Sequence, residues 1–261
     1  MNWSALAGAF ADRYERTARV GPGFLLLFPI FVLLWCAFGA RKPIPTGFFS
    51  LLIAAGVGPV LAALSRGAGK RLEERLFKHW GGRPTTLVLR HRDSHYNAYT
   101  KARLHEALGR VSGISLPSAV GEFNNPTDAD ARYHAAADEL RRKTFGHNYP
   151  HLRREVMSYG LYRNALGLKP LGLVVAAISF ILGTVMGGVA SASSPYFHWQ
   201  QFLRPGLPAA ISMGTSLVMM IIWLSLSSQG LKRAGVAYAD RLFECLDQLA
   251  KPPPAAGTVQ G

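Results

Sequence analysis

Four stretches of this chain contain no Asp, Glu, Lys or Arg: residues 20–40, 43–65, 170–203 and 205–231. Each holds some twenty mostly apolar residues, and a helix needs about 20 to cross a hydrocarbon core roughly 30 Å thick. A buried soluble core explains one such run, but not four arranged as two close pairs. The cores of the expected spans are 24–39, 48–64, 171–190 and 207–226. Charged residues make up 17% of the chain, against about 25% in soluble domains. The first span does not read as a cleavable signal, because it is too long and Phe38 stands where a small residue would precede the cut. Cys36 and Cys245 read as free thiols, with no disulfide or metal framework.

Orientation follows from the basic residues. Three (Arg13, Arg16, Arg19) precede the first span and two (Arg41, Lys42) lie in the first hairpin loop. Nineteen fall in 66–169, one (Arg204) in the second loop, and four after the last span. The positive-inside rule then places both termini and the central segment in the cytoplasm. The expected fold class is a mainly α membrane protein, with four transmembrane helices in two hairpins and a mostly helical cytoplasmic domain inserted between them. Its parts are an amphipathic helix over 1–19, a hairpin over 20–65, a basic domain over 66–169 and a second hairpin over 170–231. An amphipathic helix over 232–250 and a disordered Pro-rich tail over 251–261 follow. The net charge of +14 suits anionic headgroups on the inner face of a bacterial cell membrane, worth about 1 kcal/mol per basic residue.

Within the central domain, 66–79 reads as a helix stopped by Gly81, Gly82 and Pro84. Residues 85–89 are β-branched and apolar, and they are the one expected strand. A helix is expected over 94–108, with Ser94 as its N-cap, and another from Asn125-Pro126 to about Thr144. The break at 146–150 precedes a last helix that feeds into the third span, with Pro170 at the junction. Beyond the fourth span, Leu231, Tyr238, Leu242, Leu246 and Leu249 make an apolar face for packing on the domain or for oligomerisation.

Candidate chemistry is sparse. His91 with His95, and His147 with His151, have i,i+4 spacing, but neither pair has the company a metal site needs. Phosphate-cradling glycine loops and a nucleophile elbow are absent, so no catalytic residue, metal or cofactor is assigned. The densest constellation is residues 90–101, where Arg90, Arg92, Ser94, His95 and Lys101 lie close together, with Arg103 just beyond. Guanidinium groups beside a helix start suit phosphate, so these six are the candidate ligand-binding residues for an anion. The spans hold no ionisable residue in their cores, which disfavours a proton-coupled transporter. Gly183 and Gly187 form a small-xxx-small face for close helix packing, with a homo-oligomer as one use.

The stretch Ser158-Tyr159-Gly160-Leu161-Tyr162-Arg163-Asn164-Ala165-Leu166-Gly167-Leu168-Lys169-Pro170 resembles one found in uncharacterised bacterial inner-membrane proteins with the same paired spans. The resemblance implies a layout and no activity. Three functions follow from the residues. The first is a non-enzymatic sensor or effector whose cytoplasmic domain binds an anionic ligand or protein and couples to the bundle. That architecture is analogous to small multi-span proteins of bacterial antiviral defence. The others are a membrane-tethered enzyme acting on a phosphate-containing substrate, and an anchor for a soluble partner.

Overall fold

A computed structural model describes residues 20–39, 57–145 and 149–249. The expected amphipathic helix over 1–19, most of the second expected span and the tail over 251–261 lie outside the described residues. Among those described the chain is mainly helical, and its only β feature is an isolated bridge between Ala190 and Phe197. In order the helices are α1 (Gly21–Leu34), α2 (Val57–Trp80), α3 (Pro84–Leu89), α4 (Ala98–Ser112) and α5 (Ala119–Asn124). Then come α6 (Pro126–Lys143), α7 (Pro150–Met186), α8 (Trp199–Leu203), α9 (Leu207–Ser225) and α10 (Ser228–Leu249). A π-helical turn, Trp35–Gly39, continues α1.

Among the described residues three segments are long and apolar enough to cross a membrane: Gly21–Phe38, a window within α7, and α9, with mean hydropathies of 2.1, 2.1 and 1.8. Their exposed side chains are apolar as well. On α7 these include Val174, Ile178, Ile181 and Val185; on α9, Leu217, Val218, Ile221 and Leu224. In water such faces would be costly, and in hydrocarbon they are at home.

Contacts divide the chain into two units, Met1–Glu73 with Gly160–Ser228, and Glu74–Tyr159 with Gln229–Gly261. The first is held by glycines. A Cβ on Gly23 would stand 2.6 Å from the Leu61 Cβ, and one on Gly167 would stand 2.6 Å from the α2 backbone at Gly69. Gly172 lies flat against the Trp223 indole, Gly183 faces Ser212 and Met213, and Gly187 faces Ala209. Numbers rise along α9 as they fall along α7, so the two helices run antiparallel. The small face of Gly183 and Gly187 is therefore occupied within the chain, by α9. Leu26, Ala165, Leu168, Ala176, Met219 and Trp223 fill the space these approaches leave.

The second unit has a conventional apolar core of Val88, Leu89, Leu108, Tyr133, Leu140, Leu152, Leu242, Phe243 and Leu246. Helix α6 starts where the sequence predicts, with the Asn125 side chain accepting from the Asp128 N–H at 3.2 Å and Pro126 following. Arg141, Arg142 and Lys143 fill its last turn, where cations complement the helix dipole. The buried face of α10 comprises Leu231, Gly235, Ala239, Leu242, Phe243, Cys245 and Leu246. Most of it joins this core, which is the packing use of the predicted apolar stripe.

The expected strand over 85–89 is wrong. Those residues are α3, opened by Pro84 at its first position, with the Thr86 and Leu87 N–H groups both donating to the Arg83 carbonyl at 2.9 Å. All but one of its residues are buried. A short apolar run enclosed on every side reads alike as helix or strand. The helix expected to feed into the third span is α7, which runs on through Pro170 at the junction.

The glycine contacts carry a test. Gly172→Leu drives a side chain into the Trp223 ring and should cost about 1–3 kcal/mol of stability. Gly67→Ala, at a helical glycine with open space around it, should stabilise by roughly 0.5–1 kcal/mol. Thermal melting in mild detergent separates the two, and a Gly172→Leu protein that melts with the wild type would refute the packing.

Candidate functional site

The cationic stretch singled out in the sequence lies in the second unit, in the loop between α3 and α4 and the first turns of α4. Here one correction is needed. Ser94 is exposed and does not cap α4; Asn97 does, its side chain accepting from the Thr100 N–H at 2.8 Å. The helix begins three residues later than the hydroxyl predicted, because the loop first closes around Lys101.

Lys101 is 5% exposed. Its ammonium donates to the carbonyls of Arg90 at 2.7 Å, Asp93 at 2.5 Å and His91 at 3.4 Å. Three carbonyl dipoles thus take the place of a counter-ion. Arg90 makes a bidentate pair with Asp130, at 2.7 Å from Nε and from Nη2, and Nη2 also donates to the Gly81 carbonyl at 2.5 Å. That is the geometry in which a guanidinium binds a carboxylate most strongly.

Glu122 of α5 is the second buried ion, 3% exposed. It accepts from the His91 N–H at 2.7 Å, the Tyr133 hydroxyl at 2.9 Å and the Arg92 N–H at 3.5 Å. The Arg92 guanidinium stands 3.7 Å away. Burial pushes the Glu122 carboxyl up, but these donors outweigh it and hold the group below the usual carboxylate range. Burial and the hydrogen bond to Glu122 push the Tyr133 hydroxyl up.

The histidines complete the picture. His105 Nε2 lies 2.7 Å from the Leu89 carbonyl and His91 Nε2 3.1 Å from that of Pro117. A carbonyl only accepts, so both Nε2 atoms carry hydrogen. The two rings meet edge to face, with centroids 4.7 Å apart. Burial first, then nearby His91 and Lys101, depress the His105 imidazole despite its bond to Leu89. His95 contacts Asp240 of α10 at 2.7 Å, and the Tyr96 hydroxyl donates to the same oxygen at 2.5 Å.

The structure therefore brings Arg90, Arg92, His95 and Lys101 together around three carboxylates, Glu122, Asp130 and Asp240, and around backbone carbonyls. Arg103 stays apart, exposed and without an ion pair among the described residues. Sequence reasoning missed the carboxylates because each lies 30 or more positions from its cation, and periodicity carries no such pairing. Beside the network runs an open groove of about 700 Å³, lined in part by His91, Ala102, His105, Glu106, Arg110 and Pro117. Among the described residues, no group of three or more His, Cys, Asp or Glu is placed to hold a metal ion.

No protein-family model matches this chain, and no curated protein or solved structure matches it. Fold and site define a class by themselves. Among the described residues the chain is mainly helical, with three helices long and apolar enough to span a membrane and a second helical unit built around buried ions.

Two outcomes test the network. Lys101→Met leaves three carbonyls unsatisfied and should cost about 1–3 kcal/mol, read as faster amide exchange over 90–101. The second concerns pH. Both His105 and Glu122 titrate lower folded than unfolded, so the unfolded chain binds more protons as acid is added. Their stabilisation is complete above the ordinary values and lost as pH falls through the folded ones. Stability should thus begin to fall below about pH 6.5, the ordinary imidazole value, and fall again in the carboxylate range. His134, also depressed first by burial, shares that first step, so His105→Gln should shrink it in pH-dependent melting; an unchanged profile would contradict the assignment.

Proposed function

We propose that this is a multi-pass protein of a bacterial inner membrane, with four spans in two hairpins and both termini in the cytoplasm. Its second unit is the cytoplasmic part, and it works as a non-enzymatic sensor or effector. In that reading the helical domain receives a ligand or partner protein and passes the change to the membrane bundle. The observation that carries the membrane reading is the apolar outward face of the three long helices, which only a lipid environment suits. The count of basic residues on either side of those helices supports the orientation. The chain passes between its two units three times, inside α2, inside α7 and at the start of α10.

One observation favours this reading over an enzyme acting on phosphate. The cations that would have formed an anion site are engaged by the protein itself, Arg90 by Asp130, Lys101 by carbonyls and His95 by Asp240. Such a network orders a loop. A binding event that shifts α5 or α10 would then act on that loop through Glu122 or Asp240.

Topology is the direct test. Reporters fused after residue 120 and at the C-terminus should both report cytoplasm, and the protein should stay with the membrane through an alkaline carbonate wash. A periplasmic signal at either fusion overturns the orientation, and release by the wash overturns the membrane reading itself.

A further inference from the structure

Helix α9 has 19 residues, and at about 1.5 Å per residue it is roughly 28 Å long, close to a hydrocarbon core of about 30 Å. Its two ends therefore fall at the two boundaries of such a core. At the Ser225 end the Lys169 ammonium donates to the Leu226 carbonyl at 2.6 Å and to the Leu224 carbonyl at 3.2 Å. At the other end only Arg204, Pro205 and Gly206 separate Leu207 from α8. The chain reaches α8 from α7 through a small hairpin. In it the Ser191 N–H donates to the Tyr196 carbonyl at 3.0 Å and the His198 N–H to the Val189 carbonyl at 2.8 Å. These bonds set α8 beside the end of α7, where a Cβ on Gly188 would stand 3.2 Å from Gln201 Oε1.

Three rings of this connection gather into one cluster. Trp199 and Phe202 stack with centroids 5.5 Å apart, and Phe197 stands 6.0 Å from each. Yet Phe197 and Trp199 are 51% and 60% exposed, and Leu203, one turn after Trp199, is 63% exposed. Rings that touch one another and stay open to the outside make a single apolar patch, the kind that marks a contact surface. Position and composition choose what covers it. The patch stands at the shared end of two helices whose outward faces suit lipid, and exposed apolar side chains run on from it at Val185 of α7 and at Leu207 and Ile211 of α9. Between Lys169 and Arg204 there is no Asp, Glu, Lys or Arg, so the patch carries no carboxylate, and its one fixed charge is Arg204 at the edge. Aromatic rings with a flanking cation, at the end of a membrane-length helix, suit the boundary between headgroups and acyl chains. We infer that the connection between α7 and α9 lies along the bilayer surface, with Phe197, Trp199, Phe202 and Leu203 seated at that boundary. This rests on the membrane reading above and adds a fixed depth to it. The ring cluster at one boundary and Lys169 at the other hold the α7–α9 hairpin in register with the bilayer.

The test uses the full chain with Cys36 and Cys245 replaced by alanine, in nanodiscs of mixed phosphatidylcholine and phosphatidylglycerol. A nitroxide is placed on Leu203→Cys, with a second on Val218→Cys, exposed near the middle of α9, and a third on Arg141→Cys, an exposed position in the other unit. The label at 203 should be less accessible to a water-soluble nickel chelate than the label at 141, and less accessible to oxygen than the label at 218. Trp199→Ser should raise its access to nickel. A label at 203 that matches 141 lies in water and overturns the inference. One shielded from both relaxers lies against protein, a partner or a second copy, and overturns it too. If 218 also matches 141, the membrane reading itself fails, and the inference falls with it; water access at 203 alone strikes only the inference. The native cysteines can be kept in a second measurement, in which the emission lost on Trp199→Tyr isolates the Trp199 signal. That signal should be quenched more by lipid brominated high on its acyl chains than by lipid brominated near their ends, and absence of quenching by either would overturn the inference.

Discussion

The closeness with which α7 can be approached sets the first unit. Gly167 admits the α2 backbone, Gly172 admits the Trp223 indole, and Gly183 and Gly187 admit α9. Hydrocarbon offers no hydrophobic gain for helix association, so contact area between backbones and rigid side chains must supply it. A glycine at each approach turns what would be a clash into van der Waals contact over a whole turn. Bulky residues are then free to face outward, and the exposed Ile, Val and Leu of α7 and α9 do so.

The second unit solves a different problem. It has the apolar core of a water-soluble domain, yet it also buries an ammonium and a carboxylate. Each is fully enclosed by donors or acceptors, which is the condition under which a buried ion is tolerated. Lys101 and Glu122 reach the same four residues of backbone, 90–93, so the loop has one conformation instead of many. A network of this kind orders more than it stabilises, and its benefit is positional.

Legibility in the sequence followed the range of the interaction. The three helices long and apolar enough to span a membrane were evident because lack of charge over twenty residues is a local property. The start of α6 was evident too, since Asn125, Pro126 and Asp128 act within one turn. The apolar stripe of α10 was readable, but the core it joins was not. The 85–89 run misled because burial on all sides erases the period that separates strand from helix. Ser94 misled because the loop is shaped by Lys101, seven residues on, and a capping rule sees only three. The candidate anion residues were found as a cluster, but the carboxylates that pair with Arg90, Arg92 and His95 were not. Their counter-charges, Asp130, Glu122 and Asp240, come from three other helices, and nothing in a single sequence announces such partners.

Helix α10 carries a consequence for how the protein is made. Its residues Ala239, Leu242, Phe243 and Leu246 belong to the same core as Leu89, Leu108 and Tyr133, although α7 and α9 are synthesised between them. A ribosome therefore finishes most of this unit, then threads two long apolar helices, and only afterwards delivers the wall that closes the core. Until then the nascent unit presents an open apolar face, and Asp240 is not there to meet His95 and Tyr96. Translation order thus makes completion of the second unit a report on the last helices having been made, and a chain that stalls before α10 leaves that apolar face uncovered.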